Sequence, residues 1–360
     1  MVSRASVSSR LLRSRQPVVR DDREASVAAS ESVSARRATA MPPPVTPAMT
    51  SRPKLQLIAP TATASKVCDV ATAIGARPIM GCTDAEEAKQ VARLVDATLL
   101  SFGTPTTASI AHAIIDDARI VVVDPVGVGI PKRGKMIYDW LLAREDAVKR
   151  AETRGEKFKT IIKGNASEIE ALLRLYDVPC GRYAEASVTS MNETGGRQSF
   201  DELYRQPCFW HPTGDWGEVT SVARGGPFWE PLISLMGKTF ATIVMTSFDD
   251  IIVDHRTSRI FVVGAKSTHM FDEYAGAGCA LGAVCAAFAC DAESAYCASD
   301  SCLGERLRDA SVFYRRAGCT AALDATRTFG PASFQATFVD ELRRSRPAQY
   351  QSDASPSARQ

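Results

Sequence analysis

From about residue 55 onward, short apolar runs alternate with stretches of helical periodicity. Arg119-Ile-Val-Val-Val-Asp124 is nearly continuous in apolar character, the pattern of a strand buried on both faces. Pro78-Ile-Met80, Ala97-Thr-Leu-Leu100 and Thr160-Ile-Ile-Lys163 are shorter runs of the same kind. Phe240-Ala-Thr-Ile-Val-Met245, Asp250 to Asp254 and Arg259 to Val263 predict three further strands. Between these lie helical segments. Asp69 to Gly75 reads as a helix ending at glycine. Thr83-Asp-Ala-Glu86 has the form of a capping box opening a helix to about Val95. Helices are also predicted over 105–118, over Ala166 to Leu175, and over the apolar stretch from Cys279 to about Phe288, with more filling 291–345. This alternation predicts a layered α/β fold with a mainly parallel central sheet flanked by helices. In such folds active residues gather at the carboxyl ends of the strands.

Three regions break the pattern. Residues 178–237 hold Trp210, Trp216 and Trp229 with several Gly-Gly and Pro turns, and read as an insertion. Residues 1–54 are rich in Ser, Ala, Arg and Pro, and five arginines precede the first acid, Asp21. That segment reads as a disordered extension, with an organelle-directing transit peptide as one alternative and initiation at Met41 or Met49 as another. Residues 346–360 read as a disordered tail.

Charge and cysteine content narrow the function. The net charge of +2 and the absence of a basic patch point away from nucleic acid, and no apolar run approaches membrane-spanning length. The ten cysteines include no CxxC pair, so they read as small buried residues of a reducing compartment, Cys279 apart. His112, His211, His255 and His269 show no metal-ligand spacing. The cytoplasm is the expected location, with a mitochondrion or other organelle as the alternative if residues 1–54 direct it there.

Four segments carry the chemistry: Asp124-Pro-Val-Gly-Val-Gly129, Gly164-Asn-Ala-Ser-Glu168, Thr246-Ser-Phe-Asp-Asp250 and Gly276-Ala-Gly-Cys279. The first, second and last join a β-type run to a glycine turn or a helix start, which presents backbone N–H groups to an anion. Gly276 and Gly278 let the backbone approach a phosphate, and Cys279 falls in a first helical turn, where the thiolate is favoured. Asn165 and Glu168 share a helix face, either as a Mg²⁺- and phosphate-binding pair or as a capping box. Asp124 ends a buried strand as a metal-binding carboxylate or a turn former. Thr246 follows a strand and can donate its hydroxyl to a phosphate. Together they describe a phosphoryl-transfer site.

These segments, with Ile74-Gly-Ala-Arg-Pro-Ile-Met80 and Phe329-Gly-Pro-Ala-Ser-Phe334, resemble the hydroxyethylthiazole kinase family in the same order over about 55–345, much of 178–237 excepted. The resemblance implies a ribokinase-like fold and ATP-dependent phosphorylation of 4-methyl-5-(2-hydroxyethyl)thiazole, a thiamine-salvage step. It implies a homotrimer with the thiazole site between subunits. It assigns Cys279 to the acceptor hydroxyl, Met80 and Gly276 to the substrate, and Lys163, Asn165, Thr246 and Gly278 to ATP. Asp124 and Glu168 become Mg²⁺-associated acids. The chain departs from the family's pattern at Ala59-Pro-Thr-Ala-Thr63, where only the last threonine of a substrate motif survives. Lys163 replaces an arginine, Ser247 a glycine, and Asp272-Glu273 replace Thr-Lys. Two acids there would repel a phosphate. These departures keep two other readings open: a ribokinase-like kinase for another small alcohol or pyrimidine, and a catalytically impaired relative with a binding or assembly role.

Overall fold

The computed structural model describes residues 52–179, 219–220, 229–263, 268–291 and 303–346, apart from 81, 83, 104, 248 and 325. Residues 1–51 and 347–360, and those of 178–237 other than 178–179, 219–220 and 229–237, therefore lie outside the described residues.

Nine strands form one sheet in the order β2-β1-β3-β4-β5-β7-β8-β9-β6. They are β1 (Lys54–Ile58), β2 (Arg77–Met80), β3 (Ala97–Ser101), β4 (Ile120–Asp124), β5 (Lys159–Asn165), β6 (Val219–Thr220), β7 (Thr242–Thr246), β8 (Asp250–Val253) and β9 (Ile260–Val263). From β2 to β7 all neighbours are parallel. Beyond β7 the pairing is antiparallel. The mainly parallel sheet expected from the sequence is present.

Alternation along the strands builds two cores. Ile120 and Val122 of β4 face one side, and Val121 and Val123 the other. The first side packs α1 (Thr61–Ala73), α7 (Met270–Glu273), α8 (Ala277–Asp291), α9 (Leu303–Leu323) and α10 (Pro331–Ser345). The second packs α2 (Ala85–Leu94), α3 (Pro105–Ala113), α4 (Pro131–Thr153), α5 (Ala166–Leu175) and α6 (Trp229–Thr239). With both faces covered, β4 is apolar from Ile120 to Val123 and shows no polar alternation.

Several boundaries differ from expectation. Helix α1 begins at Thr61, not Asp69, so the altered 59–63 segment is itself the helix start. Asp84, not Thr83, caps α2, accepting from the Glu87 N–H at 2.8 Å. Strand β7 starts at Thr242 because Phe240 has φ 50, which no strand residue adopts. Strand β1 and helix α4 carry no sequence expectation.

Two close approaches organise the sheet's ends. At the carboxyl end, a Cβ on Gly103 would lie 1.8 Å from Pro60 Cγ, so the loop after β3 runs directly against the start of α1. At the amino end, Arg144 of α4 is fully buried. It donates to the carbonyls of Ile115, Arg119 and Lys159, and at 3.2 Å to the Thr160 hydroxyl. Burial lowers its pKa, with the charge of Asp116 opposing.

Candidate active site

The carboxyl ends of β3, β4 and β5 meet the first turn of α8. Ser101 and Asp124 end adjacent parallel strands and stand opposite each other in register. Asp124 is 1 % exposed. After it the chain turns sharply: the Val126 N–H reaches the Asp124 carbonyl at 2.8 Å, and Gly127 adopts φ 74 before Pro131 opens α4.

Lys163, on neighbouring β5, donates to Asp124 Oδ1 at 2.8 Å, and both side chains are 2 % exposed. Ser101 donates to Asp124 Oδ2 at 3.2 Å. Its hydroxyl also stands 3.6 Å from Cys279 Sγ. Burial opposes the Lys163 charge, but Asp124, and behind it Glu168, outweigh burial and raise its pKa. A Cβ on Gly278 would come within 3.1 Å of Lys163 Nζ, so the first turn of α8 lies against the ammonium.

Cys279 corrects an expectation. It occupies the first turn of α8 as anticipated, but burial, reinforced by Asp124, pushes its thiol up to about 12. The helix end does not make a thiolate here. The low-dielectric surroundings and a neighbouring carboxylate hold the proton on sulfur.

Asn165 ends β5 and caps α5. Its side chain accepts from the Glu168 N–H at 2.9 Å, and Glu168 Oε2 accepts from the Asn165 N–H at 2.9 Å. This is the capping box offered as one of the two sequence readings. It also fixes the Glu168 carboxylate beside Lys163. Burial raises the Glu168 pKa, and Lys163 opposes that rise. Thr246 ends β7 opposite Asn165 and donates to the Gly164 carbonyl at 3.3 Å.

Gly276 adopts φ 93, and a Cβ there would meet Thr63 Cγ2 at 3.0 Å. Lys66 donates to the Ala275 carbonyl at 2.9 Å, and the Tyr314 hydroxyl to the Ala277 carbonyl at 2.8 Å. The turn into α8 is thus fastened from α1 and α9 together. Asp272 and Glu273 are exposed on α7, so water screens the repulsion expected of them.

Within the chain, Asp124, Lys163, Glu168, Gly278 and Cys279 therefore form one cluster, with Asn165 and Thr246 on its flank. Gly276 lies toward α1. Met80 ends the edge strand β2, separated from β4 by β1 and β3. Sequence reasoning missed Ser101. The signal was there, since it ends an apolar strand just as Asp124 does.

Known proteins match this arrangement in sequence and in fold. The model of the Hydroxyethylthiazole kinase family (HK) matches residues 48–183 and 232–346. A hydroxyethylthiazole kinase of Clavibacter sepedonicus is 29 % identical over 305 residues, 81 % of this chain and 84 % of that protein. One from Cronobacter sakazakii is 29 % identical over 280 residues, 76 % and 81 % of the two chains. One from Methanosphaerula palustris is 24 % identical over 302 residues, 81 % and 89 %. Among solved structures, that of a hydroxyethylthiazole kinase protein from Pyrococcus horikoshii OT3 superposes with a TM-score of 0.54 at 19 % identity, covering 83 % of this chain and 91 % of that one, which shows a shared fold. The matched family segments enclose every residue of the cluster, and the chain belongs to the hydroxyethylthiazole kinase family, phosphotransferases acting on an alcohol group.

Proposed function

We propose that the chain transfers the γ-phosphoryl group of ATP to the hydroxyl of 4-methyl-5-(2-hydroxyethyl)thiazole in thiamine salvage. The observation that carries this is the convergence, at the carboxyl ends of β4 and β5, of two acids, one buried ammonium and the amino end of α8. Phosphoryl transfer is catalysed mainly by positioning and by stabilising charge, and this cluster supplies both. The backbone N–H groups of the Gly276–Cys279 turn face the phosphate. Asn165, Thr246 and Gly278 flank it, and Met80 and Gly276 contact the thiazole.

Mg²⁺ fits the donors. Asp124 and Glu168 offer hard carboxylate oxygens, and Mg²⁺ takes one or two carboxylates together with substrate phosphates rather than a full protein cage. When bound, the ion neutralises charge on the triphosphate. In the reaction the acceptor oxygen bonds to the γ-phosphorus, the bond to the ADP oxygen breaks, and the hydroxyl proton leaves. Cys279 carries a protonated thiol and so orients the hydroxyl. The hydroxyl's own proton passes to an oxygen of the transferred phosphoryl group, where the negative charge develops.

Met80 on edge strand β2, beside the exposed Ile79, supports a site completed by a second subunit of a homotrimer. Light scattering giving a monomer mass would reject the trimer. No helix of the described residues is long and apolar enough to cross a membrane. We place the protein in the cytoplasm, with an organelle as the alternative; imaging of a carboxyl-terminally tagged chain separates them. The function is tested by a coupled ADP assay with the thiazole alcohol, Mg²⁺ and ATP. Turnover that depends on the alcohol and disappears in Cys279→Ala and Glu168→Ala is expected. ATP turnover indifferent to the alcohol would reject the reading.

A further inference from the structure

Lys163 has a different task from the one its sequence position suggests. A lysine that grips a triphosphate needs its ammonium in the cleft. This ammonium is buried, with 2 % of the side chain exposed, and it is committed to Asp124 Oδ1 at 2.8 Å. To reach a nucleotide it would have to break this buried ion pair. The ammonium also underlies Gly278, where any Cβ would stand 3.1 Å from Nζ. On its other side Asp124 Oδ2 is held by Ser101, which leads to Cys279. One buried charge therefore touches both parts that must be aligned: the carboxylate at the end of β4 and the first turn of α8.

We infer that Lys163 is an internal counter-ion, a positioning residue that holds Asp124 and the Gly278–Cys279 turn in register for transfer, and not a nucleotide ligand. The inference rests on the kinase reading, which the alcohol-dependence assay of the wild type tests separately. It also makes a structural distinction from an arginine at this place. A lysine carries a compact charge that one carboxylate oxygen can hold, whereas a guanidinium spreads its donors over a planar fork.

The experiment compares wild type, Lys163→Met, Lys163→Arg, Asp124→Asn and the double variant Lys163→Met/Asp124→Asn. ATP affinity is measured calorimetrically with Mg²⁺ and without the alcohol, and kcat and KM for ATP are measured with it. For Lys163→Met we expect an ATP Kd within threefold of wild type and a kcat at least a hundredfold lower. Lys163→Arg, which keeps the charge, should recover at least a tenth of wild-type kcat. If Lys163→Met does not fold, the double variant, which has no stranded charge, carries the affinity measurement against Asp124→Asn alone, so that the loss of the Mg²⁺-associated acid cancels; the two are again expected within threefold. An ATP Kd more than tenfold weaker than the matching reference in either comparison, or a Lys163→Met kcat at saturating ATP within threefold of wild type, overturns the inference. Because Kd does not depend on turnover, an inactive wild type would sink the kinase reading, while the affinity comparison would still decide whether Lys163 is a nucleotide ligand.

Discussion

Two buried cations sit at opposite ends of the same pair of strands. Arg144 closes the amino ends of β4 and β5, and Lys163 stands at their carboxyl ends. Both lie out of water. Arg144 faces neutral carbonyls and a hydroxyl, and burial lowers its pKa. Lys163 faces Asp124, and its pKa rises despite the burial. The difference shows what each end is for. Carbonyl and hydroxyl acceptors take up the guanidinium's donors with no titratable group hydrogen-bonded to it, so the amino end is a staple. An ammonium–carboxylate pair with Ser101 and Cys279 around it is a charged cluster open to the turn of α8, which suits chemistry.

The sharpest way to break the contrast is to remove the charge at each end. Asp124→Ala strands the Lys163 ammonium, and we expect a loss of about 3–5 kcal/mol in unfolding free energy. Turnover per folded molecule should fall by about 10²–10³. Denaturant unfolding and the ADP assay read the two effects. Arg144→Met should behave differently: orphaned carbonyls cost about 1–3 kcal/mol, with kcat of the folded fraction within about twofold of wild type. A large kcat loss there would erase the distinction between the two ends.

The thiols sharpen the picture through pH. Burial pushes Cys285, like Cys279, up to about 12. An acid whose folded value is raised keeps its proton where the unfolded chain has released it, so stability is complete below the unfolded value, near 9, and declines as pH rises from there toward 12. Between pH 8 and pH 10, Cys285→Ala should therefore lose about 1–1.5 kcal/mol less than wild type. In the same window Cys279 should react with iodoacetamide more slowly than the half-buried Cys68 and Cys82. Preferential labelling of Cys279 at pH 8 would restore the activated-thiolate expectation. The smallest effect belongs to Ser101→Ala, which removes a hydrogen bond to Asp124 and should cost about 0.5–1.5 kcal/mol in stability.

Much of the frame was legible because strand burial leaves an apolar run. Ile120 to Val123 announced β4, and the cap chemistry of Asn165 and Glu168 fixed α5 to the residue. The start of α1 was hidden, since Thr61-Ala-Thr-Ala-Ser65 has no apolar periodicity and no capping side chain. Helix α4 went unread behind the Gly127 and Gly129 turn. For the site, residue types and positions at a strand end and two helix starts were enough to collect Asp124, Glu168 and Cys279. Their protonation was not legible, because it depends on which groups surround the Cys279 sulfur in space. Nor was the partner of Lys163, which lies on the neighbouring strand 39 residues away.

The contact between Gly103 and Pro60 bears on any effort to retune the acceptor. The 59–63 segment, where the chain leaves its family's pattern, abuts the loop following β3 with no room for even one methyl group. Libraries that vary residue 103 while freezing Pro60 will mostly sample clashes. Altered selectivity has to be sought by varying both together, as a single mechanical unit.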